Sequence, residues 1–197
     1  MISQTTRKII AALFALAASS VAQAHTGHGT ESLMEGLSHP LGLDHLLAML
    51  AVGLWSAKHL SMRDAWQGPA TFMTALFFSA VLGHSGFAAS WMETAIAVSV
   101  VLFGLMLVGQ LAMSKMTGLT LIATAAALHG LAHGAETPDS GFVTYAIGFM
   151  VTTACLHISG LSLGLAIQRF AEAYRDIAFG SIGTAMAGAG LYLFTQI

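Results

Sequence analysis

His39-Pro40-Leu41-Gly42-Leu43-Asp44-His45 opens an apolar run that continues through Leu46 to Ala57. The run is about the length that crosses hydrocarbon, so two imidazoles and a carboxylate stand where lipid-compatible side chains are expected. Ionisable groups cost several kcal/mol at bilayer depth unless they face a protein interior, pair with one another or bind something. This stretch therefore marks both a membrane helix and a functional site.

The rest of the chain is built from the same material. Of 197 residues, 56% are hydrophobic and only 8% charged, against about 25% charged in an average soluble domain. Beyond residue 37 there are six apolar segments, at about 38–57, 69–88, 92–113, 117–135, 142–167 and 177–196, each near the length that spans ~30 Å of hydrocarbon. With no water to bond exposed backbone groups, each must be a helix. The expected fold is all-α: a polytopic membrane helix bundle of six transmembrane helices behind a cleaved signal peptide. Gly130 and Gly134, Gly160 and Gly164, and the series Gly180, Gly183, Gly188 and Gly190 supply small faces on which such helices approach closely.

The signal peptide is read from Arg7 and Lys8, the apolar core Ile9–Ala18 and the small-x-small pattern Val21-Ala22-Gln23-Ala24. Cleavage after Ala24 divides the chain into a signal peptide (1–24), an outward-facing leader (25–37) and the six-span domain (38–197). The leader begins His25-Thr26-Gly27-His28, read as a polar tail with no assigned role for either histidine. Lys58, Arg63, Lys115, Arg169 and Arg175 all fall in loops on one side. By the positive-inside rule those loops are cytoplasmic, and Glu93, Glu136, Asp139 and both mature termini face outward. The expected location is the bacterial inner membrane.

Composition also excludes functions. The net charge is −2 with no long block of one sign, so nucleic acid is not a partner. One cysteine, Cys155, rules out an intrachain disulfide and a Cys-rich metal cluster and is read as a packing residue. No G-x-x-x-x-G-K-[ST] phosphate loop occurs, so ATP is not hydrolysed by that route.

The candidate site extends beyond the first span. The fourth span ends Leu128-His129-Gly130-Leu131-Ala132-His133-Gly134-Ala135-Glu136. At 100° per residue His129, His133 and Glu136 share one stripe, the two imidazoles about 6 Å apart along the axis. The outward membrane half also holds His39, Asp44 and His45, His84 at the end of span two and Glu93 at the start of span three. Imidazole and carboxylate without thiolate suit Ni²⁺, Co²⁺, Zn²⁺ or Cu²⁺, and ligand type does not choose among them. Pro40 fits the first turn of span one, with His39 at the cap. Adjacent helical positions point about 100° apart, so one of Asp44 and His45 holds the ion and the other supports it; which one is open. Met49 reads as packing and His59 as solvated. His157, about 22 Å into span five, is either a ligand or proton acceptor on the exit side, or an interior histidine bonded to a neighbouring serine or carbonyl.

Two other classes compete. Gly83-His84-Ser85-Gly86 has the Gly-x-Ser-Gly form of rhomboid intramembrane proteases, with His157 or His129 as candidate base. The pair His129/His133 lacks the glutamate of His-Glu-x-x-His, against a zinc protease. A membrane metal sensor or chaperone that binds without transporting is the other alternative.

His39-x4-Asp44-His45 followed by Leu46-Leu47-Ala48-Met49, together with His129-Gly130-Leu131-Ala132-His133-Gly134-Ala135-Glu136, resembles the HupE/UreJ family of bacterial secondary nickel permeases. Both motifs occur in order across the mature chain. The resemblance implies entry of Ni²⁺ for hydrogenase or urease maturation, with His39, Asp44, His45 and Glu136 at the family's functional positions and His129 and His133 completing its second motif. Some relatives are associated with cobalt. On this reading the chain is no enzyme and holds no permanent cofactor. Its partners are the divalent ion and the lipid bilayer, and a homo-oligomer stays open. Histidine ligands must shed protons to bind metal, so transport should weaken as pH falls.

Overall fold

The chain bends by 73° at Gly42, between α1 (Leu33–Ser38) with its following 3-10 turn (His39–Leu41) and α2 (Leu43–His59). The computed structural model describes residues 33–87, 89–108, 113–137 and 141–197. Pro40 sits inside the 3-10 turn, where its missing N–H is harmless. Gly42, at ψ 144°, is extended, and α2 starts with Leu46 N–H donating to the Gly42 carbonyl at 2.8 Å. The first apolar segment is thus a broken helix: Pro40 belongs to the turn before the bend rather than to the first turn of a continuous helix, and the cap of that turn is Ser38, not His39.

The remaining helices are α3 (Gln67–His84), α4 (Met92–Val108), α5 (Lys115–Glu136), α6 (Phe142–Phe170) and α7 (Arg175–Phe194), the last preceded by a 3-10 turn at Glu172–Tyr174. Local chemistry sets two of the starts. The Ser114 hydroxyl accepts from Thr117 N–H at 3.0 Å to cap α5, and Gly141, at φ 91°, takes the left-handed conformation that turns the chain into α6.

A helix occupies each of the six apolar segments, and among the described residues every regular element is helical. By length and composition α6 and the stretch Glu172–Phe194 suffice to cross a membrane, and the bent pair α1–α2 does so as one broken span. Helix α4 is apolar but has 17 residues. Helix α5 includes Lys115, two histidines, three glycines and Glu136, which dilute its apolar character. The expected signal peptide, His25, His28 and Asp139 lie outside the described residues.

Helix α3 packs along α5, α4 along α7, and α2 along α6, with α1 also lying on α6. The core they enclose contains Met49, Trp55, Phe72, Phe103, Ile122 and Phe179. Glycines allow these approaches. A methyl at Gly130 would strike Ser79 Oγ and the Leu76 carbonyl, at Gly134 the Ala80 carbonyl, and at Gly160 the Leu50 carbonyl. Gly183 of α7 meets the backbone of Gly104 in α4 in the same way.

Three expectations need correction. Gly180 and Gly188 have nothing within 4 Å of a would-be Cβ and serve no packed face. Cys155 is exposed on the outer side of α6 rather than packed in the core. His59 is half-buried and stacks on Trp55, ring centroids 5.4 Å apart, instead of standing in solvent. Two of the five loop cations are held by contacts between elements: Lys58 Nζ donates to the Leu107 carbonyl at 2.6 Å, near the end of α4, and Lys115 pairs with Asp64 at 3.1 Å.

Candidate metal centre

The bend at Gly42 and the last turn of α5 bring three histidines together at the other end of α2. One ring nitrogen each from His39, His45 and His133 lies within 4.8 Å of the other two. They come from three elements: the 3-10 turn, the first turn of α2 and the last turn of α5. His45 and His133 are buried, and their Nε2 atoms face each other in direct contact. Two nitrogen lone pairs in that position repel unless a proton or a cation lies between them.

Behind these two rings stand carboxylates. Asp44 Oδ1 is 2.7 Å from His45 Nδ1, and Glu136 Oε2 is 3.7 Å from His133 Nδ1. A carboxylate near the far nitrogen of an imidazole is the usual outer partner of a metal-binding histidine; here the approach is close at His45 and longer at His133. The geometry also separates the neighbours Asp44 and His45. The imidazole lies in the triplet and the carboxylate lies on its far side, 2.7 Å from Nδ1.

Helix α6 closes the third side. The Phe149 ring lies 5.0 Å from His133 and 5.7 Å from His39, and Tyr145 lies 5.8 Å from His39. Next to His133 is a cavity of about 30 Å³ lined by Tyr145, Phe149, Phe142 and Gly134 among others, room for about two water-sized spheres. The triplet thus offers three imidazoles beside aromatic walls, and the adjoining cavity, which His133 alone of the three lines, is apolar.

His129, fully buried one turn inside His133, lies with its ring 5.1 Å from His45 and its Nε2 2.9 Å from Ser99 Oγ. His84 stacks on Phe142 at 4.2 Å and Glu93 opens α4. Neither belongs to the triplet. His157 is fully buried and bonded through Nδ1 to the Met49 carbonyl, and Met49 is core packing. The Ser85 hydroxyl donates to the Leu82 carbonyl at 2.6 Å, closing the end of α3 rather than facing a base. Ser99, Tyr145 and Phe149 were not singled out by the sequence: a serine or an aromatic in an apolar helix carries no signal of its neighbours across the bundle.

Comparison with known proteins covers the stretch that holds both motifs. The family described as HupE / UreJ protein matches residues 12–193. Protein HupE of Rhizobium leguminosarum bv. viciae is 38% identical over 187 residues, which covers 93% of this chain and 96% of that protein. No solved structure matches. With the match running almost end to end and the apolar helices in place, this membrane protein belongs to the HupE/UreJ family.

Proposed function

We propose that the chain is a secondary permease that carries a divalent transition-metal ion, Ni²⁺ first among the candidates, across the bacterial inner membrane into the cytoplasm to supply metalloenzyme maturation. The family is one of transporters, and no catalytic residue is assigned. The observation that carries the reading is the triplet of half-buried His39 with buried His45 and His133, with Asp44 and Glu136 beside it. Nickel is taken from the family resemblance, since imidazole and carboxylate donors also accept Co²⁺, Zn²⁺ and Cu²⁺.

The residues divide the work. His39 is in the turn outside the bend, while His45 and His133 reach inward, so an ion meets imidazole nitrogens as it loses water. Asp44 and Glu136 hold the rings and offset the ion's charge. An inside-negative potential contributes about 4.6 kcal/mol per divalent ion per 100 mV, enough to drive entry without a nucleotide.

The test is uptake of radioactive Ni²⁺ into proteoliposomes, with and without an imposed potential, next to His45→Ala. Saturable uptake that the variant loses supports the permease and the triplet. Saturable uptake retained in His45→Ala at equal protein overturns the residue assignment. Metal held by the purified protein with no flux would establish a sensor or chaperone instead.

A further inference from the structure

Two core histidines lie outside the triplet, and the hydrogen bonds around them decide which nitrogen each one offers. Ser99 has a single hydroxyl proton, which goes to the Ile96 carbonyl at 2.7 Å. The 2.9 Å contact between Ser99 Oγ and His129 Nε2 is therefore donated by the imidazole. His129 is then the Nε2–H tautomer, and its Nδ1, buried and without a hydrogen-bond partner, keeps a bare lone pair.

His157 presents the opposite tautomer to the same effect. Its Nδ1 lies 2.9 Å from the Met49 carbonyl oxygen, which can only accept, so Nδ1 carries the proton. Its Nε2 is buried and unpartnered. One turn earlier on α6, about 6 Å nearer the triplet, Thr153 Oγ1 is also buried without a partner. Buried polar groups are nearly always paired; among the described residues His45 Nδ1, His133 Nδ1 and Trp55 Nε1 also lack a hydrogen bond, but the first two have a carboxylate beside them and the third can only donate, so His129 Nδ1, His157 Nε2 and the Thr153 hydroxyl are the atoms left able to accept from or coordinate a ligand.

These groups have an order. The His129 ring is 5.1 Å from His45 of the triplet on one side and 5.8 Å from Phe72 on the other, and Phe72 is 5.0 Å from His157. The Phe72 ring stands between two imidazoles with free lone pairs.

We propose that His129 Nδ1 and His157 Nε2 are successive transfer stations for the divalent ion inward of the triplet, with the Phe72 ring as the gate between them and Thr153 Oγ1 as an oxygen donor on the approach to His157. This inference rests on the permease reading. A station with one imidazole holds an ion weakly, as a conducting path requires, because a site with many strong ligands next to the triplet would trap it. The bonds to Ser99 and Met49 keep each lone pair presented when no ion is there.

The decisive variant is His157→Asn. Its amide nitrogen occupies the place of Nδ1 and still donates to Met49, while the Nε2 lone pair is gone. In proteoliposomes the maximum rate of Ni²⁺ uptake should fall tenfold or more with the half-saturating concentration unchanged, since capture belongs to the triplet. A second readout needs no flux. Cys155 is the sole cysteine and is exposed, so Cys155→Ser with His157→Cys leaves one thiol, at the inner station. Cd²⁺ added to this protein should produce thiolate-to-cadmium charge-transfer absorption that the Cys155→Ser protein lacks.

A full-rate His157→Asn, or absence of the cadmium band, overturns the stations. If the wild type transports nothing yet the band appears, the permease reading falls and His157 remains part of a static inner site. If His157→Asn does not fold, the cadmium comparison alone decides.

Discussion

Replacing Asp44 by asparagine removes one negative charge and keeps the shape. Asp44 Oδ1 is 2.7 Å from His45 Nδ1, and the side chain is 27% exposed. The asparagine carbonyl oxygen can stand where Oδ1 stands, 2.7 Å from Nδ1, and can accept a hydrogen bond from it. Only the charge is lost. Removing the outer partner of a ligating imidazole costs about 10–100-fold in metal affinity. Water that reaches Asp44 screens its charge, which puts Asp44→Asn at the lower end, about tenfold or 1.4 kcal/mol. Asp44→Ala also frees the ring to turn and belongs near the upper end, about 2.8 kcal/mol. Initial rates of Ni²⁺ uptake measured over a range of concentrations read both. The half-saturating concentration should rise by these factors while the maximum rate stays within twofold, roughly the scatter set by ordinary context effects. An unchanged value in Asp44→Ala would refute the support role. Complete loss of saturable uptake in Asp44→Asn would mean that the carboxylate itself holds the ion.

Other consequences can be checked with the same protein. Glu136→Gln should lower nickel accumulation at limiting metal by about tenfold or more; equal accumulation at equal protein level removes Glu136 from the site. With pH kept equal on both sides of the vesicle, acidification from about pH 8 to about pH 5 should raise the half-saturating concentration, because protons compete with the ion for imidazole nitrogens, and saturating metal should restore the rate. A flat profile would show that no histidine sheds a proton on binding. Gly134→Val drives a side chain into the Ala80 carbonyl and should destabilise by about 1–3 kcal/mol, read as a lower thermal midpoint in detergent. Gly188→Ala, with open space around it, should leave that midpoint unchanged.

The sequence carried the helices and much of the site because both follow from local rules. Six apolar segments gave six helices, and the i, i+4 spacing put His129 and His133 on the buried face of α5. The rule that adjacent residues diverge by about 100° anticipated that Asp44 and His45 would point differently, and the structure places His45 in the triplet with Asp44 2.7 Å behind its ring. His39 is harder to read. Six residues from His45, it would lie on another face of a straight helix, and only the 73° bend at Gly42 returns it to the triplet. Pairings across the bundle, such as Ser99 with His129 or Phe149 against His133, are set by helix rotation and depth, which no local pattern encodes. The same holds for Gly180, Gly188 and Cys155: small residues permit close packing without saying which face of a helix will meet a neighbour.

The outward position of Cys155 turns that last limit into a tool. It projects from α6 on the same stripe as the exposed Val151 and Ile158, facing lipid or another molecule. As the chain has no other cysteine, any disulfide between two copies of it joins their Cys155 residues. Oxidative cross-linking of the purified protein in vesicles thus reports encounters between α6 surfaces, and a covalent band at twice the chain's mass records that two such bundles meet along that face.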